Sequence, residues 1–195
     1  EYVALPLNAL IVLLVTFFSL ITVYFFPLDL ANWVPLKIGC FYSLFFLLVT
    51  GLLGISLTGD LFNLYVFLEI AALASYALVG LGNGKALISA YRYLILGSVG
   101  ASFFVLGLGY LYALTGTLNL ADMSLRIPSI LSSRALVCGI SFIVIGLLLK
   151  MAIYPLHVWQ PDAYAYSPLV LMPMVASVTS KVFAYVLVRV LYTLF

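Results

Sequence analysis

Glu69, Lys150, His157 and Lys181 are the residues whose types could do chemistry, and each sits where charge or polarity is costly. Glu69 is the one carboxylate in the apolar run from Leu61 to Val79. If a helix starts near Leu61 and rises ~1.5 Å per residue, Glu69 lies roughly 12 Å in, near the middle of a ~30 Å hydrocarbon core. An ionised carboxylate at that depth costs at least a few kcal/mol, so a partner is required. Lys150 and Lys181 fall in two later apolar runs, and His157 stands just beyond Lys150 in a more polar segment. Desolvation favours the neutral amine of a lysine at mid-bilayer, and a nearby carboxylate favours the ammonium. At ~6 Å and an effective dielectric near 20 that attraction is about 2.8 kcal/mol, so changing the distance changes the protonation balance. This is the physical requirement for a proton relay. The plainer alternative is a Glu–Lys pair that fixes helix register, with Lys150 snorkelling from a helix end and His157 a satisfied polar residue. Three buried charges, one histidine and a broken helix in so short a chain weigh towards transport.

The elements that must position these residues are membrane helices. Of the 195 residues 66% are hydrophobic and 7% charged, with a mean hydropathy of +1.29, where a soluble domain is about one-quarter charged. The expected fold is an all-α, polytopic transmembrane bundle of about six spans. The first runs from about Leu5 to Phe26, and an interfacial turn at Asn32-Trp33-Val34-Pro35 follows. The second, about Ile38 to Leu57, ends at Thr58-Gly59-Asp60, where Asp60 can cap the third, the Glu69 helix. That helix stops at the glycine-rich stretch 80–84. The fourth, about Tyr93 to Thr115, carries many small residues and is expected to pack closely inside the bundle. A long polar connection (116–134) leads to the fifth span, about Ala135 to Tyr154. Pro155 and the polar segment after it predict a broken or re-entrant element, tolerated at membrane depth only where protein or water satisfies its backbone. The sixth span, about Pro168 to Leu194, holds Pro173 and Lys181. Lys37, Lys85 and Arg92 fall on one side and Arg126, Arg134 and Arg189 on the other, so loop charge leaves the orientation open.

Other classes of function find little support. A net charge of +2 over the whole chain forms no basic face for nucleic acid. Cys40 and Cys138 read as small core residues, with no CxxC pair and no Cys/His cluster for a metal. One histidine does not make a bis-haem site, and HExxH is absent. The loop acids Asp29, Asp60, Asp122 and Asp162 are single rather than paired for a cation, and no glycine-framed serine accompanies His157. The residues imply no cofactor and no catalytic chemistry in this chain itself.

Three motifs nevertheless carry a specific resemblance. The run Gly59-Asp60-Leu61-Phe62-Asn63-Leu64-Tyr65-Val66-Phe67-Leu68-Glu69, the stretch Lys150-Met151-Ala152-Ile153-Tyr154-Pro155-Leu156-His157-Val158-Trp159-Gln160-Pro161-Asp162-Ala163 and Ser180-Lys181-Val182-Phe183-Ala184-Tyr185 occur in a fixed order. They resemble the antiporter-like subunits of Mrp-type cation/proton antiporters, membrane-bound hydrogenases and the membrane arm of respiratory complex I. The wording of the first run is most similar to the D-type subunit of the Mrp group. Tyr164 and Ser180 depart from the family pattern, which often has histidine and usually threonine there.

The resemblance implies that Glu69 and Lys150 form the intramembrane pair, with Lys181 the next relay residue and His157 on the connecting hydrated path. It implies proton translocation, with Na+ as a second ion left open, by a subunit of a multisubunit complex. The drive would be either redox chemistry in partner subunits, as in an NADH- or ferredoxin-linked or hydrogenase complex, or a counter-ion gradient. The alternative is a non-conducting scaffold subunit of such a complex. Expected partners are other membrane subunits, the transported ions and the lipid bilayer, in a prokaryotic cell membrane. Residues 1–26 would form a flanking helix and residues 38–194 one five-helix repeat, and the chain reads as a fragment of a longer subunit.

Overall fold

A computed structural model describes residues 6–29 and 35–194, and the turn expected around Trp33 lies outside them. Four long helices come first: α1 (Pro6–Asp29), α2 (Pro35–Leu57), α3 (Leu61–Gly80) and α4 (Ala86–Thr115). A short α5 (Leu120–Arg126) and a 3-10 turn (Ile127–Ile130) lead into α6 (Arg134–Lys150). The chain then leaves the helix, re-forms one as α7 (Gln160–Tyr166), and passes a 3-10 turn (Leu169–Leu171) into its last stretch. That stretch is helical throughout but not uniform: α8 (Met172–Met174), a wide π turn (Val175–Thr179) and α9 (Ser180–Leu194). The described residues form an all-α bundle.

Among the described residues, five helical stretches are long and apolar enough to cross a membrane: Leu7–Pro27, Lys37–Leu57, Leu61–Gly80, Ala86–Thr115 and Leu169–Thr193. The fifth expected span, Ala135 to Tyr154, is corrected at its end. Its helix ends at Lys150 after 17 residues, about 25 Å at the α-helical rise. Ala152 takes a φ of 56°, a left-handed conformation that stops the helix before Pro155 is reached. The fourth span is corrected at its start. α4 begins at Ala86 rather than near Tyr93, and its 30 residues extend about 45 Å, longer than the hydrocarbon core. Its first turns can therefore carry the exposed Arg92, which pairs with Asp162 of α7 at 2.7 Å.

Asp60 caps α3, its Oδ1 accepting from the N–H groups of Phe62 and Asn63 at 2.9 and 3.0 Å. Asn119 caps α5 in the same way, and the two capping segments are tied by backbone bonds. The Leu61 N–H donates to Leu118 O at 2.9 Å and the Leu120 N–H to Gly59 O at 3.0 Å. The depth at which α3 begins is thus fixed by the connection that leaves α4.

The helices pack in the order α1, α2, α3, α4, α6, with α9 returning against α6 and α2. Phe26 of α1 stacks on Phe41 of α2, ring centroids 4.1 Å apart. Tyr185 of α9 donates to Asn8 Oδ1 of α1 at 2.5 Å and approaches Ser56 O of α2 at 3.2 Å, tying three helices at one end. The closest seam is α4 against α6. A Cβ added to Gly107 would lie 2.5 Å from the Gly139 carbonyl oxygen, and one added to Gly146 would lie 2.6 Å from that of Gly100. Only glycine permits this backbone approach.

Cys40 and Cys138 are both exposed on the outside of the helices, not in the core. Lipid is as apolar as a bundle interior, so an apolar neighbourhood in sequence does not tell an inward position from an outward one.

Candidate functional site

Glu69 lies in the first half of α3, and Lys150 is the last residue of α6. The Gly100–Gly146 contact brings these elements near each other through α4, and the side chains meet across the seam. Lys150 Nζ donates to Glu69 Oε1 at 2.9 Å and to the Tyr76 hydroxyl at 3.3 Å. Its side chain is 5% exposed and that of Glu69 24%. The ammonium stands at a helix C-terminus, where the backbone dipole favours a cation. A cavity of about 10 Å³ lies beside the pair, lined by Tyr65, Glu69, Gly100, Gly146 and Lys150. That is at the lower limit for one water molecule.

The break after Lys150 is satisfied by the residues that follow it. Trp159 Nε1 donates to the Leu149 carbonyl at 3.1 Å, and the Ile153 N–H reaches Leu148 O at 3.1 Å. The backbone freed by the break is therefore held by protein rather than left in lipid.

His157 lies in this loop, its ring 5.6 Å from that of Tyr154, and its Nδ1 is buried without a hydrogen-bond partner among the described residues. Lys181 follows the π turn, is exposed, and donates to the Ala176 carbonyl of its own helix at 3.0 Å. Among the described residues no hydrogen bond or ion pair joins His157 or Lys181 to the Glu69–Lys150 pair. Two further residues belong in the picture and were not singled out by sequence. Tyr76 is two helical turns after Glu69, a spacing that puts both on one face, which was the available signal. Arg189, counted with Arg126 and Arg134 among the charges of one membrane side, is instead inside α9 and 6% exposed. Its guanidinium lies 5.9 Å from the Tyr185 ring centroid, and its Nε and Nη1 have no hydrogen-bond partner among the described residues.

Residues 58–195 match the family described as NADH:quinone oxidoreductase/Mrp antiporter, transmembrane. The chain belongs to this family. It is 47% identical over 192 residues to NADH-quinone oxidoreductase subunit N of Desulforudis audaxviator, covering 98% of this chain and 38% of that protein. It is 39% identical to the D-type Na(+)/H(+) antiporter subunit of Bacillus subtilis, over 80% of this chain and 32% of the relative. Among solved structures it resembles a chain of the membrane-bound sulfane sulfur reductase, an archaeal respiratory membrane complex. That likeness has 37% identity and a TM-score of 0.74, and covers 77% of this chain and 31% of that one. The chain thus spans about a third of the length of the curated relatives it matches. As a member of the NADH:quinone oxidoreductase/Mrp antiporter family with several membrane-spanning helices, it is a multi-pass membrane protein. The relatives' names come from both the respiratory and the antiporter branches.

Proposed function

We propose that this chain moves a proton across a membrane as part of an antiporter-like subunit. In this reading Lys150 takes up and releases the proton as its distance from Glu69 changes, and the proton passes by way of His157 towards Lys181. The observation that carries the reading is the 2.9 Å ion pair between α3 and α6, inside an apolar bundle and beside a break in the helix. A buried cation at the end of a helix followed by an irregular segment can move relative to its acid with little disruption of the rest of the fold. Residues 38–194 act as one five-helix repeat, with residues 1–26 packed outside it. Other membrane subunits of a respiratory or antiporter complex in a prokaryotic cell membrane are the partners, and they or an ion gradient supply the drive. H+ is the transported ion, and Na+ is the candidate for the ion exchanged against it.

One observation favours the plainer reading of a scaffold. The pair is close and leaves little space beside it, as a brace between α3 and α6 would. Glu69→Ala and Lys150→Ala separate the two when introduced into the full-length subunit within its complex, with proton movement measured in vesicles. A relay loses transport while the complex still assembles. A scaffold loses assembly, and whatever complex does form transports at the normal rate.

A further inference from the structure

Tyr76 is nearly fully buried in the second half of α3, 3% exposed, and its hydroxyl lies 3.3 Å from Lys150 Nζ. The ammonium therefore stands between two oxygens of the same helix: Glu69 on the side of the helix start and Tyr76 on the side of its end. Space for that hydroxyl exists only because residue 97 lacks a side chain. A Cβ on Gly97 would lie 1.8 Å from the Tyr76 hydroxyl oxygen and 2.6 Å from the ring carbon that bears it. The ring is held from the other side as well. It packs edge-on against Tyr93 at 4.4 Å, and Tyr93 stacks flat on Trp159 at 4.0 Å. Trp159 in turn bonds the Leu149 carbonyl, one residue before Lys150. The three rings and Gly97 of α4 thus set where the hydroxyl sits relative to the lysine, and the arrangement closes on the helix end that carries it.

We propose that Tyr76 is a positioning residue for Lys150, its hydroxyl accepting from the ammonium and holding it when the Glu69 contact lengthens. This rests on the relay reading given above. A lysine that must loosen from its carboxylate inside a membrane needs another acceptor, because an ammonium with none pays the full cost of desolvation. The Tyr76 oxygen is the nearest such acceptor, already within hydrogen-bond distance. Tyr93 shows the contrast. It is another buried tyrosine of the same aromatic group, and no hydrogen bond connects it to Lys150.

The test uses Tyr76→Phe, Gly97→Ala and, as a reference, Lys150→Ala, each in the full-length subunit within its complex. Subunit assembly, transport rate in vesicles and the pH profile of transport are measured. Tyr76→Phe keeps the ring and its contact with Tyr93 and removes only the oxygen. It is expected to assemble normally and to lower transport about tenfold, the scale of one hydrogen bond to a charged group. The pH profile is expected to be displaced as well, whereas a change of packing alone would scale its amplitude and leave its position. Gly97→Ala keeps the oxygen but forces it out of its present position, and is expected to lower transport as well. If Tyr76→Phe transports at the normal rate while Lys150→Ala is inactive, the positioning role falls and the relay stands. Loss of assembly in Tyr76→Phe would also overturn it, since the hydroxyl would then be structural. If Lys150→Ala itself transports normally, the relay reading falls first and this inference with it.

Discussion

Lys150 ends a regular α-helix and Lys181 follows a wide turn, and the two charges are held by different means. Lys150 sits at the C-terminus of α6, where the helix dipole favours a cation, and its hydrogen-bond partners come from α3, far away in sequence. Lys181 lies at the start of α9, is exposed, and bonds a carbonyl five residues back in its own helix. That carbonyl belongs to the π turn, in which the regular α-helical ladder is interrupted after Pro173. One cation is therefore held by tertiary structure and the other by local backbone. The difference matters for transport because a tertiary contact changes when helices move relative to one another, and a local one travels with its helix.

The largest expected effect follows from the tertiary contact. Glu69→Ala leaves an ammonium buried with only the Tyr76 hydroxyl, and breaking a buried pair in this way costs about 3 kcal/mol or more. Unfolding of the detergent-solubilised complex, by heat or in mixed micelles, measures it. A cost well below ~1 kcal/mol would mean that Lys150 is solvated or deprotonated once its partner is gone, and the contrast with Lys181 would weaken.

Next in size is the seam that brings the pair together. Gly107→Ala places a methyl group 2.5 Å from a backbone carbonyl and 2.6 Å from Ile143, so α4 and α6 must separate. Overpacking of this kind costs about 1–3 kcal/mol. Transport is expected to fall along with stability, since spreading the seam moves Lys150 relative to α3. Gly109→Ala, with open space where its Cβ would stand, is the matched control and is expected to leave both unchanged.

Much of this arrangement was legible in the residues. The apolar run around Glu69 has the length of one membrane crossing, and Asp60 has the chemistry of a cap, so both the helix and its start could be read. Pro155 and its polar neighbours announced the break, although the helix stops at Lys150, before the proline. What could not be read is which face of each helix points inward. Hydropathy does not distinguish lipid from a packed interior, and Cys40 and Cys138 were misplaced for that reason. Tyr76 was hidden by its own amphipathic nature, since a tyrosine in an apolar run draws no attention until its hydroxyl is located. The small residues of α4 pointed to close packing, but only the fold shows which glycine faces which helix.

A smaller effect is expected at the locally held cation. Lys181→Met removes one hydrogen bond from an exposed ammonium to a backbone carbonyl and keeps the length of the side chain. The cost in stability is expected to stay below about 1 kcal/mol, while the relay reading predicts a loss of transport. Stability and transport would thus separate at Lys181, where at Glu69 they fall together. A large loss of stability in Lys181→Met would place its charge in a tertiary contact and erase the distinction between the two lysines.

Arg189 supplies the third case, a cation with neither kind of partner at two of its nitrogens. It is buried in α9 beside the Tyr185 ring, and its Nε and Nη1 find no acceptor among the described residues. Two nitrogens of a buried guanidinium without acceptors carry a desolvation cost that nothing on those atoms offsets. Replacing the arginine by an apolar side chain of similar length removes the cost together with the charge. Arg189→Met is therefore expected to leave the unfolding free energy of the complex within about 1 kcal/mol of the parent, or to raise it. The position of the rings constrains the alternative. Tyr185 already gives its hydroxyl to Asn8, and the guanidinium lies over the ring of that same tyrosine. A loss comparable to that of Glu69→Ala would mean that an acceptor reaches the guanidinium in the assembled subunit. Arg189 would then join Lys150 as a charge held by tertiary structure, and Lys181 would be left as the one cation of the three held by its own helix.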